Sequence, residues 1–317
     1  MDAIDRDLSG GKAEGLQPEP SAERRLGTAV RRRPNGFVRM ARNRKARVGV
    51  IMLAIIVLSA LGASLFSPAA PNEQDVLNKL HPPAWQSGGS WSHPLGTDQL
   101  GRDMLARVLY GGRISLAVGI TATAAASVLG IILGVLAGYF GRQVDTVIMR
   151  LVDIQMAFPS ILLALAVMVI LGSGFRNLVL VLGVTSWVFF ARIVRADVLS
   201  LRSRDFVEAG RAIGATHFRL MWRYIAPNLV GTITVVATLT IARTVISAAS
   251  LSFLGVGIPP PTASWGGMLA ESRQYLSVAW WTATMPGLAL MALVIGVNLL
   301  GDALRDVLDP QMDSNNP

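Results

Sequence analysis

Hydrophobic and polar positions along this chain separate into long blocks instead of alternating. Residues 1 to about 35 are polar, charged and punctuated by proline and glycine. Such a segment buries too little surface to offset its ordering entropy, so a disordered tail is predicted for 1–35. A basic run, Arg39, Arg42, Arg44, Lys45 and Arg47, then leads into an uncharged stretch from Val48 to Phe66. As a helix that stretch rises roughly 29 Å, close to the hydrocarbon thickness of a bilayer. A signal peptide, with an apolar core of about 7–15 residues, fits less well than a membrane span. Five further stretches with few or no charges follow at 114–140, 154–171, 178–194, 229–254 and 279–300. The pattern predicts an all-α integral membrane protein with six transmembrane helices in a domain covering 36–310, closed by a short tail at 311–317.

Charge gives the orientation. Of 29 Lys and Arg, twelve precede residue 48. With the N-terminus inside, the cytoplasmic segments hold 22 bases and the external ones 6, with Arg243 left inside a span. Positive residues are retained on the cytoplasmic side, so both termini are expected there. The formal net charge of +9 belongs mainly to the tail, and no nucleic-acid partner is expected. Overall, 52% of residues are hydrophobic and 15% charged, with a mean hydropathy of +0.48, well outside soluble composition. Cysteine is absent, which excludes disulfides, iron–sulfur clusters and thiol catalysis. None of the three lysines, Lys12, Lys45 and Lys79, precedes Ser or Thr, so there is no phosphate-binding P-loop. ATP, if used, is hydrolysed by another chain.

The predicted spans contain no His, Asp, Glu or Cys. That argues against an intramembrane enzyme and against the acidic or histidine relays of an ion-coupled secondary transporter or channel, which stays as the alternative. Arg243 is the one charge deep within a span, Arg192 lying at the cytoplasmic end of its own. Its partner is a carbonyl, water, another subunit or a substrate carboxylate, making it either a bundle anchor or a pathway residue. Gly130, Gly134 and Gly138 offer a close-approach face, within the subunit or between subunits. His81, His93 and Asp98 share the external loop without metal-ligand spacing. Turn chemistry accounts for them better, with Thr97 or Asp98 capping the helix that runs through Leu105. Met149, Met156, Met168, Trp187, Trp280 and Trp281 suit lipid-facing or interfacial packing, and Pro286-Gly287 is expected to kink or loosen the last span. No metal or cofactor site is expected in this chain.

The cytoplasmic loop from 195 to 227 has more structure than a linker. Ser203 is placed to cap a short helix whose Phe206, Ala209, Gly210 and Ile213 fall on one face, and Gly214 supplies a stop. Thr216 then caps a second helix with Phe218, Met221, Trp222 and Ile225 at helical spacing. His217 beside it reads as an exposed helix residue. Physics alone leaves two readings of this elbow: a helix lying on lipid headgroups, or a knob docking into a partner's groove.

The run Glu208-Ala209-Gly210-Arg211-Ala212-Ile213-Gly214, with Pro227 thirteen residues after Gly214, resembles the EAA loop of ABC importer permeases. It departs from that pattern at Gly210, Tyr224 and Ala226, where the family has Ala, Ile and Leu. His93-Pro94-Leu95-Gly96-Thr97-Asp98 with Gly101-Arg102-Asp103, the stretch from Ser250 to Gly257 with Pro260-Pro261 and Trp265-Gly266, and Leu299-Leu300-Gly301-Asp302 with Asp309-Pro310 are similar to the C-type permease subunit of dipeptide/oligopeptide/nickel importers. The resemblance spans about 45–310. It implies a type I importer permease fold and a non-catalytic transmembrane subunit, working with a homologous sister permease, two cytoplasmic ATPases that use ATP and magnesium, and an external binding protein. It also implies that the elbow is a coupling helix in which Glu208, Ala209, Gly210, Arg211, Gly214 and Pro227 meet an ATPase. Peptides are the implied cargo, with nickel or glutathione as relatives' substrates.

Overall fold

The computed structural model describes residues 43–67 and 69–308. The tails predicted for 1–35 and 311–317 lie outside them. Among the described residues the regular structure is all helical, joined by irregular loops and with a single bridge between Thr97 and Asp103.

Helix α1 (Arg44–Leu61) starts at Asn43, whose side chain accepts from Lys45 N at 2.9 Å, and a break at Gly62 leads into the short α2 (Ala63–Phe66). Then come α3 (Met104–Phe140), α4 (Arg142–Met156), α5 (Ser160–Leu171), α6 (Phe175–Leu201) and α7 (Asp205–Ala212). The chain finishes with α8 (His217–Phe253), α9 (Trp265–Ser272) and α10 (Trp281–Leu308). Four of these, α3, α6, α8 and α10, are long and apolar enough to cross a membrane.

The stretch 154–171, read above as one span, is broken. Helices α4 and α5 meet at 87° across Ala157, Phe158 and Pro159. Proline has no N–H to continue the ladder and disfavours helical geometry in the residue before it. Helix α5 alone has 12 residues, about 18 Å of rise, too short to cross hydrocarbon by itself. Pro286, by contrast, lies inside α10, which continues through it.

The first of the four long helices starts ten residues before the predicted 114. Arg107 and Arg113 interrupt its hydropathy without interrupting the helix, because both guanidiniums are satisfied. Arg113 donates to the carbonyls of Ala60 and Leu61 at 2.5 and 2.7 Å, closing the exposed end of α1. The cap of α3 is Asp103, which accepts from Ala106 N at 2.7 Å, and not Thr97 or Asp98.

The glycine face of α3 packs within the subunit, against α6. A Cβ on Gly134 would stand 2.7 Å from the Ala191 carbonyl, and one on Gly138 would stand 2.9 Å from that of Arg195. Two backbones touch along this seam, an arrangement that small residues permit. Helix α1 lies against α10 in the same way, a Cβ on Gly49 falling 3.0 Å from the Gly296 carbonyl. Around these seams Val118, Leu178, Leu182 and Leu251 form one buried cluster, and Met104, Val245, Trp265, Trp281 and Leu293 another.

Candidate functional site

Three places gather polar chemistry: the loop before α3, the elbow between α6 and α8, and a cleft beside α5.

In the loop before α3, Gly96 and Gly101 have φ of +78° and +76°. A Cβ at Gly96 would sit 2.6 Å from the His81 carbonyl, and one at Gly101 would overlap the Asp75 carbonyl. Only glycine fits either turn. The turn delivers Asp98 into a buried ionic cluster. Asp98 accepts from Leu100 N, Arg102 N and the Arg102 guanidinium, and stands 3.5 Å from Arg107. Glu271, from α9, pairs with Arg102 at 2.6 Å and Arg107 at 3.2 Å. Arg102, Arg107 and Asp98 are each no more than 3% exposed. Two guanidiniums thus share two carboxylates far apart in sequence, the condition under which burying them is tolerable. His93 Nδ1 meets Asp103 Oδ2 at 3.0 Å and Asp98 pairs with Arg102, so both loop residues weighed as ligands with His81 already have partners. No group of three metal-ligating side chains occurs among the described residues. Sequence reading missed this cluster, because Glu271 lies more than 160 positions from its arginines.

The elbow is two short helical segments folded back on each other. Thr216 accepts from Arg219 N at 3.3 Å, and Gly214 turns the chain at φ +79°. Ser203, expected to cap α7, does not: the N-cap is Arg204, without a side-chain bond, and Ser203 Oγ donates to the Ser200 carbonyl. The expected apolar face is also displaced. Val207 and Gly210 face inward from α7, against Leu220 and Ile225 of α8 and against Tyr139, Val194 and Val198. Phe206, Ala209 and Ile213 are exposed. Both faces of this stretch carry apolar residues, so periodicity alone does not distinguish them.

Two departures from the EAA pattern explain each other. A Cβ on Gly210 would lie 2.9 Å from a Leu220 methyl and 3.3 Å from the Tyr224 ring. The larger Tyr224 therefore occupies space that the missing methyl at 210 leaves. Further along, Leu220–Ile225 winds as a π-helix, with Ala226 N bonded to the Met221 carbonyl, just ahead of Pro227. Hydrogen bonds tie the elbow to the bundle. Tyr139 Oη and His217 Nδ1 stand 2.8 Å apart, and Arg202 donates to the Gly138 carbonyl at 3.1 Å.

The outward side of the elbow is apolar. Ile213 is 79% exposed, Phe218 72% and Trp222 71%, the last two stacked with ring centroids 6.5 Å apart. Glu208, Ala209 and Arg211 are exposed as well, whereas Gly210 is buried. A rigid body carrying exposed aromatics beside an exposed acid and base is suited to docking.

The cleft, of about 260 Å³, lies between α5, α6 and α8 and is lined by Ser160, Thr185, Ser186, Arg243 and Ser247 among others. The Arg243 guanidinium sits 5.3 Å from the centre of the Phe189 ring.

Residues 130–314 match the family described as binding-protein-dependent transport system inner membrane component, and residues 36–83 match the N-terminal TM domain of oligopeptide transport permease C. The chain is 42% identical over 272 residues to the di/tripeptide transport system permease protein DppC of Pseudomonas aeruginosa, covering 86% of this chain and 90% of that one. It is 40% identical over 287 residues to the dipeptide transport system permease protein DppC of Alkalihalophilus pseudofirmus, covering 90% and 92%. Its fold is similar to that in an inward-facing structure of the MetNI methionine ABC transporter, with a TM-score of 0.53 at 23% identity over 64% of this chain and 97% of that one.

Proposed function

The chain belongs to the binding-protein-dependent transport system inner membrane components, and on that premise we propose that it forms half of the membrane pathway of an ATP-driven importer of di- and oligopeptides. The relatives' names favour peptides over nickel or glutathione, and family membership replaces the ion-coupled transporter or channel. The sister permease completes the pathway, two cytoplasmic ATPases use ATP and magnesium, and an external binding protein delivers cargo. This chain itself is non-catalytic.

The observation that carries the coupling role is the elbow. Its inner face is locked into the bundle through Val207, Gly210 and Leu220, while its outer face offers Phe218, Trp222 and Glu208 to a partner. A lever of this kind transmits a partner's rearrangement because the bundle and the elbow move together. An ATPase that grips the outer face differently in its open and closed states shifts the permease between inward- and outward-facing forms. Glu208, Ala209 and Arg211 meet the ATPase directly; Gly210, Gly214 and Pro227 shape the elbow that presents them.

In the bilayer, α1, α3, the bent α4–α5 pair, α6, α8 and α10 make six crossings of a domain spanning 36–310. This topology puts both termini and the elbow in the cytoplasm of a bacterial inner membrane, with the Asp98 cluster and α9 outside. Reversing the charge in Glu208→Lys tests the coupling role. The complex is expected to retain part of its ATPase, while ATP-dependent peptide uptake falls at least about tenfold, the loss of one charge-assisted contact. Uptake equal to wild type would refute the assignment.

A further inference from the structure

Arg243 lies ten residues before the end of α8 at Phe253, about 15 Å from that end along the helix axis. It is the only charged residue of the 229–254 stretch, and it makes no ion pair or hydrogen bond with any described residue. Among the described residues it stands over the Phe189 ring. The side chain is exposed on the isolated chain, facing away from the buried seams of the bundle. At that depth an arginine facing lipid is strongly disfavoured, so this face of α8 looks into protein or water.

The cleft beneath it has the polarity of a binding site. Ser160 from α5, Ser186 from α6 and Ser247 from α8 line it, and none of the three hydroxyls is hydrogen-bonded to a described residue. Thr185 also lines it but is already bonded to the Val181 carbonyl at 2.8 Å. The remaining wall is apolar, aliphatic apart from the Phe189 ring. One cation with a planar donor fork, hydroxyl donors around it and no acid nearby select a single anionic group. The rest of the wall makes no demand on what that group is attached to.

We infer that Arg243 and the hydroxyls of this cleft bind the C-terminal carboxylate of the peptide as it crosses the membrane. This rests on the peptide-importer reading above and locates the group in the cargo that the permease recognises. Every free peptide carries that carboxylate whatever its side chains, so one guanidinium can serve cargo of many sequences. Contacts within an open cleft are few enough to let the peptide leave again, as transport requires.

The test compares two probes, dileucine and its C-terminal amide. Each is supplied at concentrations that saturate the binding protein, to proteoliposomes holding the complete complex. The binding protein is the same throughout, so the change in the acid-to-amide uptake ratio between wild type and variant isolates the coupling of residue 243 to the carboxylate. With wild type the acid is expected to be taken up at least about tenfold faster than the amide. With Arg243→Gln the ratio is expected to fall to within about twofold, and Arg243→Lys, which keeps the charge without the fork, is expected to lie between them. An unchanged ratio in Arg243→Gln overturns the inference. So does failure of both variants to co-purify with the sister permease and ATPases, which would make Arg243 an assembly anchor paired with another subunit. A wild-type complex that imports neither probe overturns the peptide reading itself, a result recognisable before any variant is made.

Discussion

At the scale of single residues, Gly210 and Tyr224 show how a departure from a family pattern can be physically paired. The Tyr224 ring would press on a methyl at 210 from 3.3 Å, tighter than ordinary van der Waals contact. Gly210→Ala alone is therefore expected to lower stability by about 1 kcal/mol, the usual scale of mild overpacking. In a Tyr224→Ile background the same change is expected to cost less, since the ring is gone and only the Leu220 methyl, 2.9 Å away, has to give. A double-mutant cycle on detergent-solubilised protein checks this, and additivity of the two changes would sink it. Gly96 and Gly101 are legible as turn residues, but the cluster they position is not. Asp98 reads as a cap or a ligand because its local spacing allows either, whereas its actual partners include an arginine nine positions on and, through the shared guanidiniums, Glu271. Pairing of buried charges across such distances leaves no periodic trace in sequence.

Among the elements, the apolar blocks mark the long helices because a bilayer demands uncharged length, and that demand is visible one residue at a time. Their ends are less visible. Helix α3 begins at Met104 instead of 114, since Arg107 and Arg113 find partners in Asp98, Glu271 and two α1 carbonyls. The break before α5 was announced by Pro159 but hidden by hydropathy, which stays high on both sides of it. Likewise the buried face of α7 is Val207 and Gly210, although the rival face is apolar as well, with Ile213 79% exposed on it. The α3–α6 seam makes the sharpest prediction at this scale. Gly134→Val would push a side chain into the Ala191 carbonyl, where backbone cannot yield without separating the helices. Loss of folded protein is expected, read as disappearance of a monodisperse peak in detergent size-exclusion chromatography; a folded, fully active variant would contradict the seam.

For the whole molecule, the absence of cysteine makes topology directly measurable. Trp91, 81% exposed in the loop before α3, and Gln143, exposed at the start of α4, fall on opposite sides of the membrane in the proposed topology. With six crossings, a single cysteine in Trp91→Cys is expected to react with a membrane-impermeant maleimide from outside intact spheroplasts, and one in Gln143→Cys only after permeabilisation. The reverse pattern would invert the chain and place the elbow outside, away from any ATPase. The most direct test of the central claim is affinity purification of this chain, co-expressed with its sister permease and ATPases, followed by mass spectrometry of wild type and of Phe218→Asp/Trp222→Asp. The account expects wild type to recover both partners, and the variant to keep the sister permease while its ATPase recovery falls at least about tenfold, the loss of two exposed aromatic anchors. Undiminished ATPase recovery with the double variant would contradict it, and would show that this outer face is not what the ATPase grips.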